Sequence, residues 1–265
     1  MRALLASTTS HADGLNLALT DLGVVCDVTD ELDDLASITA LSGPYEIVIL
    51  DVAQPEREAL AAIRGLRRSG CTQPILVLCG RLGPTEEETI LHAGADDVIL
   101  HPCRPAVLHA RMQALVRRAR GYASAQLACG NVTLDQEQHA VTVDGRRVAL
   151  TAREFDFLQT MMLHKGVLMT KERFMSSLYT DSDAPDVKIV DVFVCKLRRK
   201  LAACGAAEMI RTVWGRGHVL FEPSPAAVAA ARAAHRPGMP EAAPRGWVRR
   251  SGATAAPVAA PALGA

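Results

Sequence analysis

Short apolar runs alternate with longer amphipathic stretches over the first 120 residues of the chain. In residues 56–68, for example, Leu60, Ile63 and Leu66 recur at the spacing that places side chains on one face of a helix. The apolar runs lie at residues 3–6, 24–28, 46–50, 74–79 and 97–100. Five such strand–helix units predict a flavodoxin-like α/β domain over residues 1–120, with a parallel sheet covered by helices on both faces.

The hydrophobic pattern changes in the second half of the chain. Residues 141–150 alternate apolar and polar positions around Asp144-Gly145, a dipeptide that favours a tight hairpin turn. Thr151 and Glu154 have the spacing of a capping box, in which each residue satisfies a backbone N–H at the start of a helix. The sequence therefore predicts a β-hairpin followed directly by a helix.

A second helix, a loop, a third helix and a hairpin follow and complete a second predicted domain. Thr170 is predicted to cap a second, shorter helix. A polar loop is predicted at residues 181–185, a third helix at about 186–203 and a hairpin at 210–221. Because the last hairpin turns through a Gly-Arg-Gly segment around Arg216, we predict an α+β winged helix-turn-helix over residues 127–223.

The third predicted helix has two faces of opposite character. One side forms an apolar stripe of Val190, Phe193, Val194, Leu197 and Leu201. The other side carries cations and short apolar groups, which suit phosphates, guanine edges and thymine methyls: Lys188, Val192, Cys195, Lys196 and Arg199, with Arg198 in the same basic cluster. A solvated face that favours the helix dipole would give the same pattern. The neighbouring helices and the arginine-bearing hairpin favour a DNA recognition helix with a wing.

Two segments have no apolar periodicity. We interpret residues 121–126 as a short linker between the domains. Residues 224–265 are rich in alanine and proline, hold five arginines against one acidic residue, and are predicted to be a disordered tail with at most a helical start. The tail either adds sequence-independent attraction to DNA or is simply solvated.

Charge and cysteine content narrow the classes of protein. Residues 1–120 hold 11 Lys and Arg against 16 Asp and Glu, so any nucleic-acid surface must be a local patch in the second half. Seven scattered cysteines, with no Cys-x-x-Cys, suit a reduced cytoplasm and provide no zinc-ligand spacing. No stretch approaches the ~18 apolar residues of a membrane helix. We expect a cytoplasmic protein without a metal.

Three segments carry a resemblance to a known family. Residues 168–172, 190–201 and 212–217 read LMTKE, VDVFVCKLRRKL and TVWGRG. They resemble the effector domain of the OmpR/PhoB response regulators, and the resemblance covers residues 1 to about 223. It implies a receiver domain joined to a winged helix that binds repeated DNA half-sites as a homodimer. In similar members of the family these half-sites are TTAA-like. RNA polymerase or a regulatory protein is a candidate further partner.

The resemblance also assigns roles by position in this sequence. It implies groove or phosphate contacts for Lys188, Val192, Cys195, Lys196 and Arg199, and a wing contact for Arg216. His218 stands where relatives usually have tyrosine.

The receiver has lost most of the residues that phosphorylation requires. Asp51 occupies the acceptor position, but Ser7-Thr8-Thr9 stands where the family has its magnesium-binding acidic pair, around Thr8 and Thr9. Cys79, His101 and Val98 replace the hydroxyl residue, the lysine and the aromatic switch residue. We expect no magnesium cofactor, and an Asp51 that is phosphorylated slowly or not at all. Asp51 is then either a vestigial acceptor or a solvated loop acid.

The receiver is expected to serve instead in dimerisation or partner docking. In the resembled family a face built from the fourth helix, fifth strand and fifth helix forms a dimer through salt bridges. Charges at suitable positions here are Asp96, Asp97, Arg111 and Arg118. A solvated surface would explain them equally.

Other classes of protein fit the sequence less well. A phosphatase using Asp51 as nucleophile would need a second carboxylate two residues later, and Ala53 stands there. The common Walker, nucleophile-elbow and metalloprotease motifs are missing from the sequence, so we do not expect an enzyme. The alternatives are a conventional phosphorylation-activated response regulator and a receiver-based protein-interaction regulator without DNA binding.

Overall fold

Five parallel strands form the sheet of the first domain in the computed structural model, which describes residues 1–179 and 187–235. They are β1 (Arg2–Ser7), β2 (Val25–Thr29), β3 (Ile47–Val52), β4 (Ile75–Cys79) and β5 (Asp97–Leu100). Their order in the sheet is β2-β1-β3-β4-β5, which confirms the predicted α/β class. Every residue of β3 and β4 is buried, because helices cover both faces of the sheet.

Five helices cover this sheet, namely α1 (Ala12–Asp21), α2 (Leu35–Leu41), α3 (Leu60–Arg68), α4 (Pro84–His92) and α5 (Pro105–Ala119). The helix predicted over residues 56–68 differs at its start, where a wide π-type turn, Pro55–Ala59, leads into α3. Among the described residues, no helix has the length and apolar character needed to cross a membrane.

The second domain opens with a four-stranded antiparallel sheet of β6 (Gln126–Cys129), β7 (Val132–Asp135), β8 (Ala140–Val143) and β9 (Arg146–Val148). The predicted hairpin is β8–β9, and Asp144 and Gly145 both take positive φ, at 47° and 80°. Two positive φ values in a two-residue turn match the twist of the strands that flank it. The sequence pattern did not separate β6 and β7 as elements.

Three helices and a wing complete this domain: α6 (Ala152–Leu163), α7 (Lys171–Leu178), α8 (Ile189–Ala203), β10 (Ile210–Val213) and β11 (Gly217–Leu220). The predicted caps are present, since Thr151 accepts from the Glu154 amide and Thr170 from the Arg173 amide. The predicted winged-helix fold is confirmed. The polar loop predicted at residues 181–185 lies outside the described residues.

The helical core of the second domain is centred on Phe157. Its ring is fully buried and stacks on Phe174 and Phe193, with centroid distances of 4.2 and 5.6 Å. The apolar stripe predicted for α8 faces this core through Val190, Val194, Leu197 and Leu201, all buried. The opposite side of α8 is therefore turned outward.

A further helix, α9 (Pro225–Ala234), lies within the segment predicted to be a disordered tail. α9 is the helical start expected for this segment. Ser224 caps α9 by accepting from the Ala227 amide, and an Arg232–Asp144 ion pair ties the helix to the β8–β9 turn. Residues 236–265 lie outside the described residues.

The two domains contact each other at the amino-terminal end of the receiver strands. The Met1 ammonium donates to the Ser177 carbonyl at 3.3 Å and lies 3.9 Å from the Glu46 carboxylate. One hydrophobic cluster includes Leu115 of α5 and Leu163 of α6. Receiver and winged helix therefore share a continuous apolar core.

Candidate nucleic-acid interface and receiver site

The outward face of α8 presents most of the residues predicted to contact DNA. Cys195, Lys196 and Arg199 are exposed, and the Val192 side chain keeps 47% of its surface accessible. Lys188 occupies the N-cap position at the start of the helix. Cations beside short apolar groups on one helix face provide both phosphate contacts and contacts to base edges.

Arg198 lies on a different side of α8 from these residues. Its guanidinium donates to the Ile210 carbonyl at 2.9 Å and to the Thr212 hydroxyl at 3.0 Å. These bonds fasten the wing strand β10 to the recognition helix. The structure thus gives Arg198 a packing role, where the sequence pattern grouped it with the DNA contacts.

Lys200, the last cation of the basic cluster, also points inward. Its ammonium donates to Glu154 Oε2 at 2.6 Å and to the Ala149 carbonyl at 2.8 Å. Glu154 is buried and also accepts from the Thr151 amide. The capping box of α6 therefore anchors the carboxyl-terminal half of α8.

The wing extends from the same face and ends in two exposed side chains. Arg216, predicted as the wing contact, is exposed at the turn between β10 and β11. Trp214 beside it is 91% exposed, and sequence reasoning gave it no role although it stands in the TVWGRG motif. At the base of the wing Gly217 has a φ of 141°, and a Cβ there would overlap the Met169 carbonyl. Only glycine fits this close backbone approach.

His218 joins the wing to both helices of the helix-turn-helix. Its Nε2 lies 3.2 Å from Asp191 Oδ1 on α8, and its Nδ1 lies 3.2 Å from the Thr212 hydroxyl on β10. Asp191 also accepts from the Lys171 ammonium on α7 at 2.6 Å. Burial lowers the pKa of His218, although the Asp191 carboxylate opposes that shift. The sequence marked this residue only by its difference from relatives.

The predicted acceptor Asp51 is fully buried at the carboxyl end of β3. Its Oδ2 accepts from the hydroxyls of Ser7 at 2.7 Å and Thr9 at 2.5 Å, and its Oδ1 lies 3.1 Å from His101 Nε2. Thr8 instead donates to Glu58 at 2.9 Å. Ser7, Thr9 and His101 thus converge on one buried carboxylate, so Asp51 is not a solvated loop acid.

The side chains that contact Asp51 add no second carboxylate to the site. Magnesium binds oxygen ligands, usually one or two carboxylates, and keeps several of its waters. Here Ser7, Thr9 and His101 contribute two hydroxyls and an imidazole, and the hydroxyls donate to the carboxylate that the metal would need. Cys79 beside the site is buried, and burial raises the pKa of its thiol.

The charges predicted for a dimer face divide into two groups. Arg111 of α5 pairs with Asp97 of β5 at 2.9 Å, and Arg118 is exposed on α5. Asp96 is instead bonded within the receiver, to the Arg67 guanidinium and the Ile75 amide, each at 2.7 Å. Asp96 therefore fixes the turn before β5.

A five-stranded receiver joined to a winged helix with a basic, outward recognition helix defines a response regulator with a DNA-binding output domain. The family described as "Transcriptional regulatory protein, C terminal" matches residues 145–220. The cell cycle response regulator CtrA of Brucella anthropi is 39% identical over 213 residues, covering 80% of this chain and 88% of that protein, and that of Brucella ovis gives the same values. The chain belongs to the OmpR/PhoB family of response regulators and is similar to CtrA.

Two solved structures were also matched along most of the chain. One belongs to a family of redox sensors in the streptococci that evolved from two-component response regulators. It is 26% identical in sequence, the match covers 84% of this chain and 100% of that chain, and the TM-score is 0.39. The other is the response regulator DrrB of Thermotoga maritima, with 20% identity, coverage of 83% and 98%, and a TM-score of 0.37.

Proposed function

We propose that this protein is a sequence-specific transcriptional regulator whose DNA binding does not depend on phosphorylation of Asp51. One observation carries the proposal: the Asp51 carboxylate is fully buried, and both of its oxygens have partners within the chain. Phosphoryl transfer needs a carboxylate oxygen open to the donor and a cation that neutralises the developing charge. The hydroxyls of Ser7 and Thr9 stand where both would have to approach.

Acetyl phosphate and magnesium provide a direct test, read on a phosphate-affinity gel. The wild-type protein is expected to give no shifted band. A variant with Thr8→Glu, Thr9→Asp, Cys79→Thr and His101→Lys restores the missing residue types and serves as the positive control. A shifted wild-type band that disappears in Asp51→Ala would instead establish a conventional phosphorylation-activated regulator.

DNA binding is tested with a labelled duplex that carries two TTAA half-sites, across a salt series. Affinity should fall steeply with salt, and Lys196→Ala combined with Arg199→Ala should abolish binding, because both cations lie on the outward face of α8. Arg147→Ala, on β9 rather than on α8 or the wing, is the matched control. A wild-type protein that binds no duplex would favour the protein-interaction regulator.

We further propose that the protein acts in the cytoplasm as a homodimer formed by α4, β5 and α5. Exposed Val107 and Leu100 flank the Arg111–Asp97 pair on this face, which supports a mixed apolar and charged contact. Regulation would then come from concentration, proteolysis or a protein partner, RNA polymerase among the candidates. Sedimentation of the full chain should show a dimer that Arg111→Asp weakens, whereas a strict monomer at high concentration would refute the contact.

A further inference from the structure

We propose that His218 is a positioning residue that couples the wing to the recognition helix and makes DNA binding weaken on acidification. The inference deepens the DNA-binding function proposed above and rests on it. It starts from a hydrogen-bonded chain of side chains that runs from α7 through α8 to the wing.

His218 is held between three elements of the DNA-binding domain. Only 3% of its surface is accessible, and it lines a cleft of about 530 Å³ between α7, α8 and the wing. Its backbone pairs with Met169, just before α7, through two hydrogen bonds of 3.0 and 2.9 Å. A two-stranded hairpin such as β10–β11 is marginally stable by itself, so its orientation depends on such attachments.

The donors and acceptors around the ring suit a neutral imidazole protonated at Nε2. A carboxylate only accepts, so His218 Nε2 donates to Asp191. The Thr212 hydroxyl already accepts from Arg198, and its hydrogen is free to be donated to His218 Nδ1. With Lys171 donating to Asp191, a neutral His218 completes an unbroken chain from Lys171 to Arg198.

Protonation of the ring reverses its contact with the wing. An imidazolium has an N–H at Nδ1 and can only donate there, so the Thr212 hydroxyl must accept from both His218 and Arg198 and turn its own hydrogen away. The charged groups that face the ring are Lys171 from α7 and Asp191 and Arg198 from α8, while β10 contributes only the Thr212 hydroxyl. Burial is the largest influence against a charged ring, Arg198 and Lys171 add to it, and Asp191 opposes it.

The direction of the pH effect follows from the lowered pKa of His218. Burial lowers the pKa of this histidine in the assembled domain, so the ring is neutral at neutral pH. The assembled arrangement is therefore fully stable above the ordinary histidine value of about 6.5 and is penalised as the pH falls below it. The wing then loosens, and the exposed Arg216 and Trp214 lose their fixed positions relative to α8.

A double-mutant cycle tests whether His218 acts through the wing. DNA affinity is measured by fluorescence anisotropy on a duplex with two TTAA half-sites for wild type, His218→Phe, Arg216→Ala and the double variant. His218→Phe should cost about tenfold in affinity, the size of one hydrogen bond to a charged group. In the double variant it should cost little more than Arg216→Ala alone. Fully additive losses would overturn the coupling.

The pH profile separates this role from a merely structural one. Wild-type affinity should be constant above about pH 6.5 and fall below it. His218→Gln, which keeps one N–H donor but does not titrate, should retain most of the affinity with a flat profile. His164→Gln is the matched control, because His164 is equally buried in the same domain but bonds to the Thr160 carbonyl of α6. If His218→Gln keeps the wild-type profile, or His164→Gln abolishes it, the proposal fails.

A measurement without DNA distinguishes this inference from the function on which it rests. Nitrogen NMR of the ring at pH 7.5 should show His218 protonated at Nε2 and bare at Nδ1. If the protein shows this tautomer but binds no duplex, the DNA-binding function is refuted and the hydrogen-bonded arrangement of side chains around His218 stands. The opposite tautomer would overturn the inference whatever the DNA affinity.

Discussion

Glu154→Ala tests how the recognition helix is held against the rest of the winged helix. The carboxylate lies at the start of α6, is buried, and accepts from the Thr151 amide at 2.9 Å and from Lys200 of α8 at 2.6 Å. Its removal leaves one orphan N–H at the helix start and one ammonium without its counter-ion. Both losses should lower the free energy of unfolding.

The magnitude follows from the two contacts. Loss of a helix-capping contact costs about 1 kcal/mol. Breaking a fully buried ion pair costs about 3–5 kcal/mol. The Lys200 side chain is 30% exposed and can turn toward water, so we discount the second contribution to about 1–2 kcal/mol. The expected loss for Glu154→Ala is therefore about 2–3 kcal/mol, and Glu154→Gln, which keeps one acceptor, should lose about 1 kcal/mol.

Urea unfolding at several pH values measures both the size and the cause of this loss. Burial raises the pKa of Glu154, but hydrogen bonds from Lys200 and Thr151 outweigh it, and the net shift is downward. The stabilisation is thus complete above the ordinary glutamate value of about 4.3 and is lost as the pH falls through the lowered one. Glu172→Ala, at an exposed first-turn glutamate of α7, should cost under ~0.5 kcal/mol. Equal losses for both variants, or a difference unchanged in acid, would refute this reasoning.

Three further predictions address the interface, the wing and the core. Alkylation of exposed Cys195 with a bulky maleimide should abolish DNA binding in an anisotropy assay, while Cys195→Ser should bind DNA and resist the reagent. DNA binding by fully alkylated protein would exclude this face of α8 as the DNA contact. Gly217→Ala should cost roughly 2–4 kcal/mol in thermal unfolding, because its φ of 141° and the Met169 carbonyl leave no room for a Cβ. An unchanged melting temperature would contradict this. Phe157→Ala should cost about 3–5 kcal/mol in urea, and a loss under ~1 kcal/mol would show that the Phe174 stack relaxes around the cavity.

The receiver strands were predictable to within two residues because of where they lie in the fold. A parallel strand buried on both faces is typically a near-continuous apolar run, as β4 is throughout and β3 is up to Asp51. β6 and β7 are four residues long and alternate buried with more accessible positions, which is too short for a clear period. A helical start of the tail was expected, but its anchor was not, since Arg232 of α9 meets Asp144 from 88 residues away.

The candidate interface was predictable as a face but not residue by residue. At about 100° per residue, Arg199 lies opposite Val190, whereas Arg198 and Lys200 flank the apolar stripe at about 80° on either side. Flanking cations are within reach of neighbouring elements, and β10 and Glu154 bind these two. The sequence shows three adjacent cations, and only the packed neighbours decide which of them remains available for DNA.

The residues around Asp51 and the contact between the receiver and the winged helix lie at opposite ends of the receiver sheet. Asp51 and its partners occupy the carboxyl ends of β1 and β3, bonded through register neighbours such as Ser7. At the amino-terminal ends of the same strands, Met1 lies beside Glu46 and donates to Ser177 of the winged helix. Replacing the acidic pair by hydroxyl residues satisfies the buried carboxylate and leaves the apolar core that joins the domains unaltered. The receiver therefore packs on the DNA-binding domain independently of the chemistry at Asp51.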